Sequence, residues 1–182
     1  SIKLGAGIVN TNLGLLQAAR AAHPTAYIVY KPHPDVLAGL RSGSIKEQAA
    51  LEVCDRIIGS AAVTKLIEAS DEIWTMTSLL GFEALLRGKA VTCLGTPFYA
   101  GWGLTQDLGP TCARRGVHVT LDEPVHAVLI DYPRYHDPVS NLPCTPELIV
   151  DRLASGQTRK PVKLRVLAKL QGVFAGYAAI WR

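Results

Sequence analysis

The run from Asp71 to Gly95 constrains the fold more than any other part of the chain. Asp71-Glu72-Ile73-Trp74-Thr75 reads as a strand, and Thr77 or Ser78 then offers a hydroxyl to cap a helix. A side-chain oxygen at that position accepts one of the orphan N–H groups of the first helical turn. Leu79, Phe82, Leu85 and Leu86 recur at helical spacing, and Gly88 stands where the helix must end. Glycine suits that place because the left-handed conformation needed there would strain a Cβ. The apolar run Ala90 to Leu94 is short enough to be a buried strand. A helix start at the carboxyl end of a strand gathers free N–H groups and the positive end of the helix dipole, which favour a phosphate. The pattern points to a phosphorylated ligand, with a nucleotide as the first choice.

The rest of the chain repeats the alternation. Asn10 or Thr11 can cap a helix to about Ala22, with Leu13, Leu16 and Ala19 on one face. Ala26 to Tyr30 is a β run ended by Lys31-Pro32-His33-Pro34, where two prolines forbid simple continuation. Further helices are expected over Ser44–Val53 and Ala61–Ala69, and further strands over Asp55–Ile58 and Val117–Leu121. Asp122 can cap a helix through Val125, Val128 and Leu129, and Thr145-Pro146-Glu147 opens another with proline at its first position. Strands alternating with helices predict a Rossmann-like α/β fold, a parallel sheet with helices on both faces. Ligands of such folds bind outside the carboxyl ends of the strands, so Lys31–Asp35, Met76–Ser78 and Gly95–Thr105 are expected to meet in one cleft. Residues 1–156 are assigned to this domain and 157–182 to a basic amphipathic helix or linker.

Each motif has a functional and a plainer reading. A histidine fixed between prolines can donate to a phosphate oxygen, with Lys31 adding charge; otherwise it is a solvated turn residue. Thr77 and Ser78 can hold a phosphate or merely cap the helix. Glu83 can accept from a ribose or pair with Arg87 at the favourable i,i+4 spacing. In the glycine-aromatic loop, Tyr99 and Trp102 are candidates to stack on a base or sugar; the alternative is packing onto this or a neighbouring domain. His118, His126 and His136 lack metal-ligand spacing, and Asp107, Asp122 and Asp131 cannot be paired into an acid-base dyad by spacing alone. Tyr132–Pro138 and Cys144 read as structural.

At 182 residues and 48% hydrophobic, the chain has enough material for a sizeable core. The net charge of +4 comes from basic residues near the end, Arg159 to Arg182. That suits phosphate ligands or an anionic surface but is too weak to argue for nucleic acid. The four cysteines are far apart without a CxxC pair, so reduced thiols are expected rather than a zinc site or disulfide framework. No signal peptide is visible, and no apolar run is long enough to span a bilayer. The chain opens at Ser1 close to a helix signal, which suggests a piece of something longer.

Four segments together resemble the capsule polysaccharide biosynthesis family, specifically its KpsC-like β-Kdo transferases. They are Tyr30-Lys31-Pro32-His33-Pro34-Asp35, Thr77 to Gly95, Gly95-Thr96-Pro97-Phe98-Tyr99-Ala100-Gly101-Trp102-Gly103-Leu104-Thr105, and Tyr132-Pro133-Arg134-Tyr135 followed by Asp137-Pro138. The resemblance runs to about Leu153, and the glycine-aromatic motif is its most specific part. It implies a two-domain GT-B glycosyltransferase that uses CMP-β-Kdo, with this chain as the nucleotide-binding C-terminal half. It further implies a phosphatidylglycerol-linked acceptor, capsule assembly machinery as partners, and work at the cytoplasmic face of the inner membrane. His33 and Ser78, with Thr77, would contact the CMP phosphate, and Lys31 and Glu83 would line the pocket. The nucleophile would come from an N-terminal domain, no metal is expected, and a lone half should not turn over. Two rivals stay open: a GT-B enzyme for another nucleotide sugar, sialyltransferase-like or UDP-dependent, and a non-catalytic module of a capsule assembly complex.

Overall fold

The computed structural model describes residues 5–37, 43–59, 61–110 and 112–157. They fall into two compact units divided between Leu121 and Asp122. The basic stretch expected to be helical beyond Gln157 lies outside the described residues.

In the first unit, helix α1 (Asn12–Ala22) starts where Thr11 accepts a hydrogen bond from Gly14 N–H at 3.0 Å. It buries Leu16 and Ala19. Strand β1 (Val29–Tyr30) follows, then a single helical turn α2 (Pro34–Leu37), helix α3 (Glu47–Leu51) and strand β2 (Arg56–Ile57). β1 and β2 pair in parallel, Val29 with Arg56 and Tyr30 with Ile57. Leu16, Ala50 and Cys54 form the core of this part, flanked by Ile28, Tyr30 and Ile57. Arg20 locks it at one end: its guanidinium donates to Asp55 Oδ2 at 2.6 Å and to the Ala26 carbonyl at 2.7 Å, while Asp55 also accepts from Ile28 N–H.

Helix α4 (Val63–Glu68), strand β3 (Glu72–Thr75), helix α5 (Leu79–Leu85), strand β4 (Ala90–Cys93) and strand β5 (Gln106–Asp107) complete the unit. β3, β4 and β5 form a second parallel sheet in that order, with Trp74 beside Thr92 and Thr92 beside Gln106. Register partners point to the same side, so the sheet has two distinct faces. Glu72, Trp74 and Thr92 occupy one; the His23 ring, just past α1, packs edge-on to Trp74 at 5.5 Å, with Nε2 3.1 Å from Glu72. Cys93 lies on the other, whose aromatic cover comes from Tyr99 and Phe82 of α5. Helices thus cover both faces, as the alternation predicts.

The element boundaries depart from expectation most clearly in the strands. The run Ala26–Tyr30 contributes only its last two residues to a sheet. Val117–Leu121 forms no strand; Val119 N–H donates to the Trp102 carbonyl at 3.0 Å. The third strand is instead Gln106-Asp107, two polar edge residues with no apolar alternation to announce them. On α5 the buried stripe is Gly81, Phe82, Ala84 and Leu85, whereas Leu79 and Leu86 are exposed. Gly88 does close this helix in the left-handed conformation, with φ +68°.

The second unit contains α6 (Asp122–His126), a π-helical turn over Ala127–Asp131, and α7 (Pro146–Ala154) with Pro146 in its first turn. Its centre is the buried Asp137, which accepts from Arg152 Nε at 3.0 Å and Nη2 at 3.2 Å, and from the Ser140 hydroxyl at 2.7 Å. Through Asp137 the Tyr132–Pro138 connector is tied to Arg152 of α7. The Arg152 guanidinium, followed by the Ser140 hydroxyl, holds the Asp137 carboxyl well below the usual carboxylate range. A carboxyl whose folded pKa is depressed stabilises the fold at pH values above its unfolded pKa, about 3.9, and loses that contribution as pH falls toward the folded value. Asp137→Asn is therefore expected to lower the melting temperature at pH 7 by several degrees. It should lose less than the wild type on going from pH 7 to pH 3, as thermal melts at the two pH values would show.

Candidate functional site

The loop after β3 is built by hydroxyls. Thr75 Oγ1 accepts from Ser78 N–H at 3.2 Å, and Ser78 Oγ accepts from Leu80 N–H at 3.2 Å, so Ser78 caps α5. The cap uses the Ser78 oxygen as an acceptor and leaves its proton available to donate. Among the described residues no partner takes Leu79 N–H. Thr77 is half-buried, with its methyl against Gly5 and Gly95. Ser78 is exposed. Leu94 N–H to the Thr75 carbonyl, 2.9 Å, continues the ladder past β4 and holds the two loops side by side.

The glycine-aromatic loop lies against this turn, though not as expected. Tyr99 is completely buried and its hydroxyl donates to the Ser78 carbonyl. Its ring stacks on Phe82 at 6.1 Å and meets Phe98 edge-on at 5.1 Å. No face of the ring is open to a base or sugar; Tyr99 supports the turn from beneath. The fit is close enough that a Cβ on Gly81 would stand 2.3 Å from the Tyr99 oxygen. Trp102 is half-buried, its Nε1–H donates to the Phe98 carbonyl at 2.8 Å, and the Arg115 guanidinium lies over its ring at 5.7 Å. One face of the indole is therefore already taken. Arg115 Nη1 also donates to the carbonyls of Pro97 and Ala100, and Asp107 accepts from Gly101 N–H at 2.8 Å and the Thr105 hydroxyl at 2.6 Å. Neither Arg115 nor Asp107 carries a local sequence signal for this role. Burial pushes the nearby Cys93 thiol up to about 12, with Asp107 adding to it, so this cysteine stays protonated and inert at neutral pH.

A second group of candidates stands at the end of β1. His33 is exposed, and its carbonyl accepts from Val36 and Leu37 N–H, closing α2. Asp35 N–H donates to His33 Nδ1 at 3.1 Å. An accepting Nδ1 carries no proton, so this bond selects the tautomer with the proton on Nε2, the atom that points away from the backbone. Asp35 Oδ2 is 3.6 Å from the same Nδ1, too far and too exposed to override that choice. Lys31 Nζ donates to the Gly59 carbonyl, just past β2, at 2.6 Å, with further protons to give. Lys31 and His33 thus share the carboxyl end of the β1–β2 sheet, while Thr77, Ser78 and Gly95 share that of the β3–β4 sheet. Glu83, half-buried on α5, does not take the ion pair its spacing allows: Arg87 donates to the Glu83 backbone carbonyl at 2.8 Å.

Lys31, His33, Thr77 and Ser78 can each donate a hydrogen bond from the end of a strand. The family model described as capsule polysaccharide biosynthesis protein matches residues 1–135. The capsule polysaccharide modification protein LipA of Neisseria meningitidis serogroup B (strain ATCC BAA-335 / MC58) is 49% identical over 138 residues, 76% of this chain and 20% of LipA. The lipopolysaccharide-processing protein LpsZ of Rhizobium meliloti is 42% identical over 135 residues, 74% of this chain and 30% of LpsZ. Among solved structures, the β-Kdo 2,7 transferase of Thermosulfurimonas dismutans KpsC superposes with a TM-score of 0.76 at 39% identity, over 86% of this chain and 49% of that one. The β-Kdo 2,4 transferase of the same protein gives 0.66 at 35% identity, over 76% and 43%. The chain therefore spans a fifth to a third of these curated relatives and about half of the solved transferases.

Proposed function

The chain belongs to the capsule polysaccharide biosynthesis protein family, and from that premise we propose that it is the nucleotide-binding half of a glycosyltransferase that uses CMP-β-Kdo. The observation that carries the reading is the likeness in both sequence and fold to two β-Kdo transferases, over most of the chain. The geometry is in keeping with it. On this reading His33 Nε2–H, the Thr77 and Ser78 hydroxyls and the Lys31 ammonium would donate to the CMP phosphate. When the bond between the sugar and the phosphate oxygen breaks, negative charge grows on the departing CMP, and fixed donors stabilise that charge without reorganising. Glu83 would accept from the ribose, and Trp102 would meet the sugar or acceptor. The carboxylate nucleophile of a retaining reaction, the phosphatidylglycerol-linked acceptor and the other wall of the cleft would come from outside this chain. On this reading the transferase works without a metal, at the cytoplasmic face of the inner membrane beside the capsule assembly machinery.

The test is a titration of the chain with CMP, with UMP as control, followed through backbone amides by NMR. CMP-specific shifts at residues 31–35 and 76–80 are expected at millimolar ligand. A preference for UMP would move the protein to another nucleotide-sugar class. Silence toward both nucleotides, repeated with the partner domain restored, would leave an interaction module of the capsule machinery.

A further inference from the structure

The buried phenol of Tyr99 does something that neither capping nor ligand binding accounts for. Its hydroxyl reaches from one loop to the backbone carbonyl of Ser78 in another. That carbonyl also accepts from Gly81 N–H at 3.2 Å, so Tyr99 supplies its second hydrogen bond. The ring cannot be displaced sideways, because Phe82 and Phe98 pack on it and Gly81 leaves room for no atom beyond hydrogen. The loop that carries Tyr99 is itself pinned from the far side. Arg115 donates to the carbonyls of Pro97 and Ala100, on either side of Tyr99, and its stem lies against Gly101. A continuous chain of contacts thus runs from Arg115 through Tyr99 to the Ser78 carbonyl.

We infer that Tyr99 is a positioning residue that sets the Thr77–Ser78 turn for its ligand, with Arg115 holding Tyr99 in place. The inference rests on the nucleotide reading above and assigns no ligand contact to either residue. A hydroxyl donor aims well only if the backbone bearing it is fixed, and misplacement of about 1 Å is costly in such sites. Fixing the Ser78 carbonyl fixes the backbone from which the Ser78 side chain projects.

Calorimetric titration of CMP into the full-length protein tests this, using the wild type, Ser78→Ala, Tyr99→Phe and Arg115→Ala, with ligand-free thermal melts of each. Tyr99→Phe keeps the ring packing and removes only the hydroxyl. It should bind CMP about tenfold more weakly, the loss of roughly one hydrogen bond's worth of alignment. The KM for the nucleotide sugar should rise in step while its melting temperature moves by only a few degrees. Arg115→Ala, which removes the two carbonyl bonds flanking Tyr99, should weaken CMP binding in the same direction. If the wild type binds CMP and Ser78→Ala weakens it, yet Tyr99→Phe and Arg115→Ala bind like wild type, the positioning role is wrong and the nucleotide reading survives. If the wild type ignores CMP, the nucleotide reading fails and the positioning role with it; if the wild type binds CMP and Ser78→Ala binds like wild type, the turn is not at the site and the positioning role fails alone.

Discussion

Gly95→Ala should cost the first unit at least the upper end of the ~1–3 kcal/mol that overpacking usually takes. The added methyl would stand 2.6 Å from the Gly5 carbonyl oxygen, 2.7 Å from the Met76 carbonyl oxygen and 2.8 Å from Thr77 Cγ2. Two of these neighbours are backbone, and neither can step aside alone. Gly5 is tied by Thr96 N–H to its carbonyl at 2.8 Å, and Ala6 bridges Gly95 in antiparallel fashion. Met76 follows directly on β3, whose Thr75 carbonyl takes Leu94 N–H. The clash is thus relieved only by loosening the end of the β3–β4 ladder, where the candidate turn begins. Gly88→Ala is the natural comparison: nothing lies within 4 Å of its would-be Cβ, so only the left-handed backbone objects, at about 1 kcal/mol. Urea unfolding of both variants gives the measurement. A Gly95→Ala midpoint no lower than that of Gly88→Ala would mean that the close approach of the three segments is not maintained in solution.

What could be read from the sequence was whatever is decided locally. The cap at Ser78, the stop at Gly88 and the apolar strand Ala90–Cys93 each follow from a residue and its immediate neighbours, and each is found. The failures have a common physical origin in contacts between distant segments. Gln106-Asp107 is a strand because β4 offers it an edge, and an exposed polar pair has no pattern of its own. Val117–Leu121 has strand-like composition and no edge to join. Helical spacing points to Leu79 and Leu86, but the buried face of α5 runs through Gly81, Phe82, Ala84 and Leu85, and the approach of Tyr99 leaves room only for glycine at position 81. Tyr99 is ambiguous for the same reason: an aromatic in a glycine-rich loop looks the same whether it faces a ligand or the core. Arg115 has no local signal because its carbonyl partners are 15 and 18 residues away. His33 is intermediate, since the flanking prolines reveal a constrained imidazole while only the structure shows Asp35 N–H donating to its Nδ1.

That hydrogen bond gives the second large prediction. With Nδ1 accepting from Asp35 N–H, Nε2–H is the donor His33 offers, and on the nucleotide reading it goes to a phosphate oxygen. A hydrogen bond to a charged group contributes about 1.5–3 kcal/mol, so His33→Ala should weaken CMP binding by the full-length protein roughly 10- to 150-fold. The carbonyl bonds from His33 to Val36 and Leu37 N–H are backbone and survive the change, so the fold of α2 is not what is being tested. Two further variants separate the nitrogens, because a glutamine amide nitrogen lies near the place of Nε2 and an asparagine amide nitrogen near that of Nδ1. His33→Gln should recover a good part of the affinity, and His33→Asn should resemble His33→Ala. The reverse order would place Nδ1 toward the ligand and require the Asp35 N–H bond to open on binding. Equal affinity in all three variants and the wild type would remove His33 from the site altogether, leaving the Thr77–Ser78 turn to hold the phosphate without it.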